Sequence, residues 1–190
     1  VTSAYRSSFL KEQNIGLASV RAGNVIGGGD WASDRLIPDI LRSFDVNEPV
    51  IVRNPKATRP WQHVLEPLSG YLVLAQKLND NCDEYAEGWN FGPNEQDVQP
   101  VNWVLDKMIS NWSNSSWIND NNINPYEAGY LKLDISKARE RLNWKPVWEL
   151  DIALERIIYW YKAWKNKEDM QLICLKEIKE YMRDMSNENH

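Results

Sequence analysis

Leu17-Ala18-Ser19-Val20-Arg21-Ala22 is a short, nearly continuous apolar run that leads into Asn24 and the triplet Gly27-Gly28-Gly29. A run of this kind suits a strand buried on both faces of a parallel sheet. Parallel strands need neighbours reached through crossovers, and no further βα repeat is evident along the chain. Upstream, Val1, Ala4, Tyr5, Ser8 and Phe9 recur at helical spacing without an N-capping residue, and Asn14-Ile15-Gly16 closes that helix. The expectation is therefore that residues 1–30 are the last helix-strand unit of a doubly wound α/β sheet, with the strand edges left unpaired.

The rest reads as a mostly helical region with short strands. Asp34 is placed to cap a helix through Leu41 and Phe44, with Pro38 near its start. Pro49 to Val52 reads as a strand, and Asn54-Pro55 and Arg59-Pro60 as changes of direction. Glu66 to Leu78, Val101 to Trp112, Leu150 to Trp164 and Met170 to Met185 carry helical patterns, and Ser136 is expected to cap Lys137 to Leu142. Short strands are expected at Trp89-Asn90-Phe91, Trp117-Ile118 and Tyr130 to Leu133, the second inside an Asn-rich connector over residues 113–124.

The formal net charge of -5 argues against a general binder of nucleic acid or of a membrane surface, since both present dense negative charge. An anionic ligand then has to be held by a few local arginines. No apolar stretch approaches the roughly 20 residues of a membrane helix, and a cytoplasmic setting is the expectation. Cys82 and Cys174 lie far apart, and His63 has no second histidine or cysteine nearby, so neither a disulfide framework nor a metal site is indicated. Most of the ten tryptophans are assigned to the core.

The triple glycine has neither the G-x-G-x-x-G spacing of a dinucleotide fingerprint nor the trailing lysine of a P-loop. It reads as a flexible strand exit. Asn24, at the carboxyl end of the strand, is placed either to contact a ligand or to form the turn. Arg35, Arg53 and Arg59 fall within one span that changes direction, so their guanidinium forks either converge on phosphate oxygens or sit solvated on the surface. Arg59 is embedded among apolar and aromatic residues in "ATRPWQHVLEP", which favours a buried role.

The ordered set "RAGNVIGGGDW", "DRLIPD", "NPKATRPWQHVLEPLSGYL", "WNFGP" and "YEAGYLKLDISKARERLNWKP" resembles the carboxyl-terminal part of an extended short-chain dehydrogenase/reductase acting on nucleotide sugars. Within that family it is most similar to the 4,6-dehydratases that act on CDP-glucose. The resemblance implies an α/β fold: residues 1–30 would end a truncated Rossmann domain, and residues 31–190 would form the substrate-binding part and C-terminal helices. It also implies roles. Asn24 would reach the diphosphate or sugar, and Arg35 and Leu36 would lie over the nucleotide. Val52 and Arg53 would line the base pocket, and Arg59 would hold a phosphate. Asn94, Glu127 and Tyr130 would border the cleft, and Ala22 and Gly23 would pass close to the nicotinamide of NAD.

In that family a tyrosine of a Y-x-x-x-K motif serves as base while hydride leaves C4 for NAD, water is lost across C5 and C6, and hydride returns at C6. No such motif, no glycine fingerprint and hence no catalytic residue stands in this sequence; Tyr5 is followed by Phe9 where the lysine belongs. A second phosphate arginine of many relatives is replaced by Asn124-Pro125-Tyr126. The expected partners are a nucleotide-sugar substrate and either a second copy or an upstream Rossmann half, with catalysis absent from this chain alone. The alternatives are a piece of an epimerase or reductase of the same family and a non-catalytic nucleotide-sugar binder.

Overall fold

The computed structural model of the protein describes residues 1–112, 115–120, 122 and 128–187. In chain order it forms α1 (Thr2–Tyr5), continued by a wide helical turn Arg6–Leu10 and a tight one Lys11–Gln13, then β1 (Ser19–Ala22), β2 (Asn24–Ile26) and α2 (Leu36–Asp45). There follow β3 (Val50–Val52), β4 (Thr58–His63), α3 (Leu65–Asp80), α4 (Cys82–Tyr85) and β5 (Gly88–Phe91). The remainder comprises β6 (Val98–Pro100), α5 (Val101–Ser110), β7 (Trp117–Asn119), α6 (Ser136–Leu142), α7 (Leu150–Lys165) and α8 (Met170–Asn187). The α/β class and its predominantly helical character are as expected from the sequence.

The strand pairing corrects one expectation. β1 has a parallel neighbour inside the chain: it pairs with β5, Ser19 opposite Gly88 through Ala22 opposite Phe91. Its partner is separated from it by three other strands and three helices, so no adjacent repeat in the sequence signals the pairing. β4 is the centre of a second sheet, parallel to β2 across Trp61 to His63 and antiparallel to β6 across Thr58 to Pro60. A third, two-stranded sheet joins β3 to β7 in parallel.

Further local expectations change: Ser136 does not cap α6 but is its first residue, after Ile135 in the cap position with no side-chain cap bond. Arg59-Pro60 lies inside β4, not at a turn. Proline is tolerated there because Pro60 sits where the strand exchanges β6 for β2 as its partner, so its missing N–H interrupts no continuous ladder. Asp34 does not cap α2; it has a left-handed φ of 59°, and Arg35 occupies the cap position with no side-chain cap bond. Tyr130 to Leu133 contributes only a single bridge, Tyr130 to Thr58. The Asn-rich connector falls partly outside the described residues.

Two larger hydrophobic clusters form the core, with a smaller one around Trp160, Ala163 and Ile173. The first joins α2, β3, α5 and α7 through Ile40, Phe44, Val50, Leu105 and Ile157; the second joins α3, β5 and α6 through Leu74, Trp89, Phe91, Leu142 and Trp144. Each such side chain contributes roughly 1.5–3 kcal/mol by leaving water. α2 is also tied to α7 by polar contacts, since the Tyr161 hydroxyl donates to Asp45 at 2.5 Å and Lys165 pairs with the same carboxylate at 3.0 Å.

His63 ends β4 and is fully buried, as a packed histidine would be. Its Nδ1 accepts the Leu65 N–H at 3.3 Å, so the neutral ring carries its proton on Nε2, which faces Glu177 Oε1 at 3.7 Å. Burial, reinforced by the Arg156 charge, lowers the His63 pKa to about 4, and burial raises that of Glu177 to about 7. A histidine with a depressed folded-state pKa contributes stability that is present above about 6.5 and lost as pH falls through about 4. Glu177 acts in the opposite sense, losing its contribution as pH rises from about 4.5 through about 7. The difference in urea midpoint between the protein and a His63→Asn variant is therefore expected to shrink as pH falls from 6.5 to 4. A difference that stays constant with pH would show that His63 does not titrate this way.

Candidate functional site

β2 carries Asn24 beside Trp61 of β4, and the chain then leaves the sheet through the three glycines. A Cβ on Gly28 would fall 2.2 Å from the Trp160 ring, and Gly29 has φ +78°. The glycines thus allow a close approach to α7 and a left-handed step, which matches a strand exit and not a phosphate cradle. Trp31 then packs against Trp164, with ring centroids 4.5 Å apart, and against Trp160 at 6.2 Å. Arg42 of α2 donates to the carbonyls of Trp31 and Ala32, so the segment before α2 is held from both sides.

This path encloses a cleft of about 710 Å³ between β2, the segment before α2, the end of β3 and the face of β4. Asn24, Arg35, Leu36, Val52, Arg53 and Arg59 all line it, together with Gly23. Six of the nine substrate-site residues expected from the sequence are therefore brought together, from four separate elements and their flanks. Arg59 is only 7% exposed, and its Nη1 donates to the Thr58 carbonyl at 2.9 Å. Val52 is both cleft wall and part of the first core, so it presents a rigid apolar surface.

The other expected residues lie elsewhere. Asn94 precedes a tight turn and accepts from Arg139, and Tyr130 is 64% exposed beside Thr58. Ala22 ends β1 opposite Phe91 and does not line the cleft. Glu127 lies outside the described residues. Gly23 has a packing reason to be glycine: a Cβ there would fall 2.3 Å from the Pro60 carbonyl oxygen. That close approach by itself calls for no cofactor, and the described residues build no cradle for a dinucleotide, so no step is assigned to NAD here.

Sequence reasoning missed the acidic side of the cleft and one aromatic. Asp30, Asp34 and Asp39 line it beside the three arginines, so its formal charges balance among the described residues. Asp30 accepts the Ala32 N–H at 3.0 Å, Asp39 pairs with Arg42, and Asp34 lies 3.8 Å from Arg53. Trp61 also lines the cleft, its Nε1 donating to the Gln99 carbonyl at 2.9 Å. Its position two residues from Arg59 on one strand face was the available signal, hidden because Pro60 disguised the strand.

Chemically, the arrangement offers guanidinium donors for anionic oxygens, the amides of Asn24, which opens β2 and does not end a strand as expected, and of Asn54, and an apolar wall for a flat group. No family model matches the chain. The chain is 55% identical over 188 residues to CDP-glucose 4,6-dehydratase of Salmonella typhimurium, an alignment covering 96% of this chain and 52% of that protein. It thus spans about half the length of that curated relative, consistent with a carboxyl-terminal part. Among solved structures it superposes on UDP-glucuronic acid 4-epimerase from Bacillus cereus, solved with UDP-glucuronic acid and NAD, with TM-score 0.65 and 20% identity, covering 85% of this chain and 48% of that one. dTDP-glucose 4,6-dehydratase from Bacillus anthracis, solved with NAD, gives TM-score 0.64 and 15% identity over the same shares. The chain is accordingly a relative of CDP-glucose 4,6-dehydratase that matches about half of it and carries the fold of the nucleotide-sugar epimerases and dehydratases.

Proposed function

We propose that this chain supplies the nucleotide-sugar-binding portion of an NAD-dependent 4,6-dehydratase, a hydro-lyase whose substrate is CDP-glucose. The observation that carries the reading is the convergence of Asn24, Arg35, Arg53 and Arg59 on one cleft beside the apolar wall of Val52 and Leu36. In this reading Arg59, held rigidly by burial, binds a diphosphate oxygen, and Arg35 and Arg53 supply charge at the more open rim. A guanidinium suits this role because its fork matches two phosphate oxygens at once. Leu36 and Val52 would flank the base, and Asn24 would orient the sugar or diphosphate through its amide. Asn94, Glu127 and Tyr130 would join only at the outer border, and Ala22 and Gly23 would come near a nicotinamide carried by another half.

When bound in such an enzyme, NAD takes up and returns a hydride; the residues of this chain bind and orient the sugar nucleotide. The partner this reading requires is a dinucleotide-binding half, and the setting is the cytoplasm, where nucleotide sugars for cell-surface polysaccharides are made. The chain itself is expected to turn over no CDP-glucose.

Calorimetric titration with CDP and CDP-glucose tests the reading directly. Binding of both is expected, weakened roughly 10- to 100-fold by Arg59→Met, since a hydrogen bond to a charged group contributes about 1.5–3 kcal/mol. Absence of heat with either ligand would refute a nucleotide-sugar site, and formation of a 4-keto-6-deoxy sugar by this chain alone would refute its catalytic silence.

A further inference from the structure

We propose that Asp34 is an internal counter-ion of the cleft, a carboxylate that occupies Arg53 until the phosphates of a ligand displace it, and that it thereby sets how strongly the cleft discriminates phosphorylated from unphosphorylated ligands. This rests on the cleft being an anion site, as argued above. Asp34 stands one residue before the cap position of α2, which Arg35 occupies, and α2 has no side-chain cap bond. Its carboxylate instead lies 3.8 Å from Arg53 at the end of β3, across the opening of the cleft, and both residues line that cleft. The other two carboxylates there are engaged away from the three cleft arginines: Asp30 accepts the Ala32 N–H, and Asp39 pairs with Arg42, which does not line the cleft. Asp34 alone among the described acidic lining residues is paired with a cleft arginine.

The pair is exposed, with 54% of the Arg53 side chain and 86% of the Asp34 side chain open to solvent. An exposed pair is weak enough for a doubly charged ligand to break. A pyrophosphate reaching Arg53 must displace the carboxylate and then sit beside it, so neutralising Asp34 removes both the competition and the repulsion. A nucleoside lacking phosphates leaves the pair intact and gains nothing. The left-handed φ of 59° at Asp34 is one that asparagine also tolerates, so Asp34→Asn removes the charge with the backbone retained.

The test is calorimetry of the protein, Asp34→Asn, Arg53→Met and the double variant against cytidine, CDP and inorganic pyrophosphate, with thermal midpoints to verify folding. Asp34→Asn is expected to tighten CDP and pyrophosphate about threefold to fivefold at low salt, less at high salt, with cytidine unchanged and the gain absent in the Arg53→Met background. An unchanged or weakened CDP affinity in a folded Asp34→Asn variant overturns the proposal while leaving the nucleotide reading intact, and so does a gain that persists without Arg53. If CDP fails to bind any variant but pyrophosphate follows the expected pattern, the nucleotide reading fails and the counter-ion stands. If neither ligand binds any variant, both fail.

Discussion

Replacing Glu66 with alanine is expected to destabilise the protein by about 3–5 kcal/mol, a large share of the 5–15 kcal/mol typical of a folded domain. Glu66 lies in the first turn of α3 with no exposed surface. Its Oε1 accepts the Trp148 N–H at 2.7 Å, and its Oε2 accepts the Val147 N–H at 3.0 Å and the Tyr181 hydroxyl at 2.8 Å. One carboxylate therefore joins α3, the segment leading into α7, and α8. Alanine would leave the Val147 and Trp148 N–H groups without this acceptor in a site water does not reach, each costing about 1–3 kcal/mol, while the Tyr181 hydroxyl keeps its contact with Ser69 Oγ at 3.0 Å. Glu66→Gln keeps the shape and one acceptor oxygen, so it should retain part of the lost stability. Urea unfolding of the three proteins measures this; an alanine variant within 1 kcal/mol of the parent would mean that α8 and the segment before α7 are held by other contacts.

The second large effect is Gly70→Ala, where two general rules oppose each other. In an exposed helix interior alanine is favoured over glycine by about 0.8–1.0 kcal/mol. Gly70 of α3 is buried against Phe91, and a Cβ would fall 2.2 Å from its ring. Phe91 has nowhere to retreat, because Tyr71 and Trp144 meet it edge-on with centroids at 5.4 Å and 5.0 Å. Overpacking of this kind costs roughly 1–3 kcal/mol, so the net change should be destabilising despite the gain in helix propensity. A lower thermal midpoint for Gly70→Ala confirms that packing prevails; a higher one would show that α3 shifts away from β5 without cost.

The elements best read from the sequence were those whose periodicity is local. α3, α5, α7 and α8 follow the expected helices to within a few residues, and Asn14 closes the first helix with φ 56°. β4 was hidden because Pro60 lies within it. The pairing of β1 with β5 was hidden because its neighbour lies 69 positions on in the register. For the site, the residue types were legible and the geometry was not: Arg35, Arg53 and Arg59 stood out as candidate anion ligands, open against a solvated surface role, whereas Asp34 read as a helix cap. Asp34 and Arg53 are brought together only by the packing of α2 and β3 in one core.

By itself, then, the sequence determined the α/β class, the helical pattern, the absence of a phosphate-loop spacing at Gly27-Gly28-Gly29 and the three arginines that come to line one cleft. These depend on spacing and side-chain chemistry within a few residues. The tertiary structure decided which strand neighbours which, that Gly28 answers to Trp160, and that the cleft holds as many carboxylates as guanidiniums. Those outcomes depend on contacts between residues far apart in sequence, which no local pattern can specify.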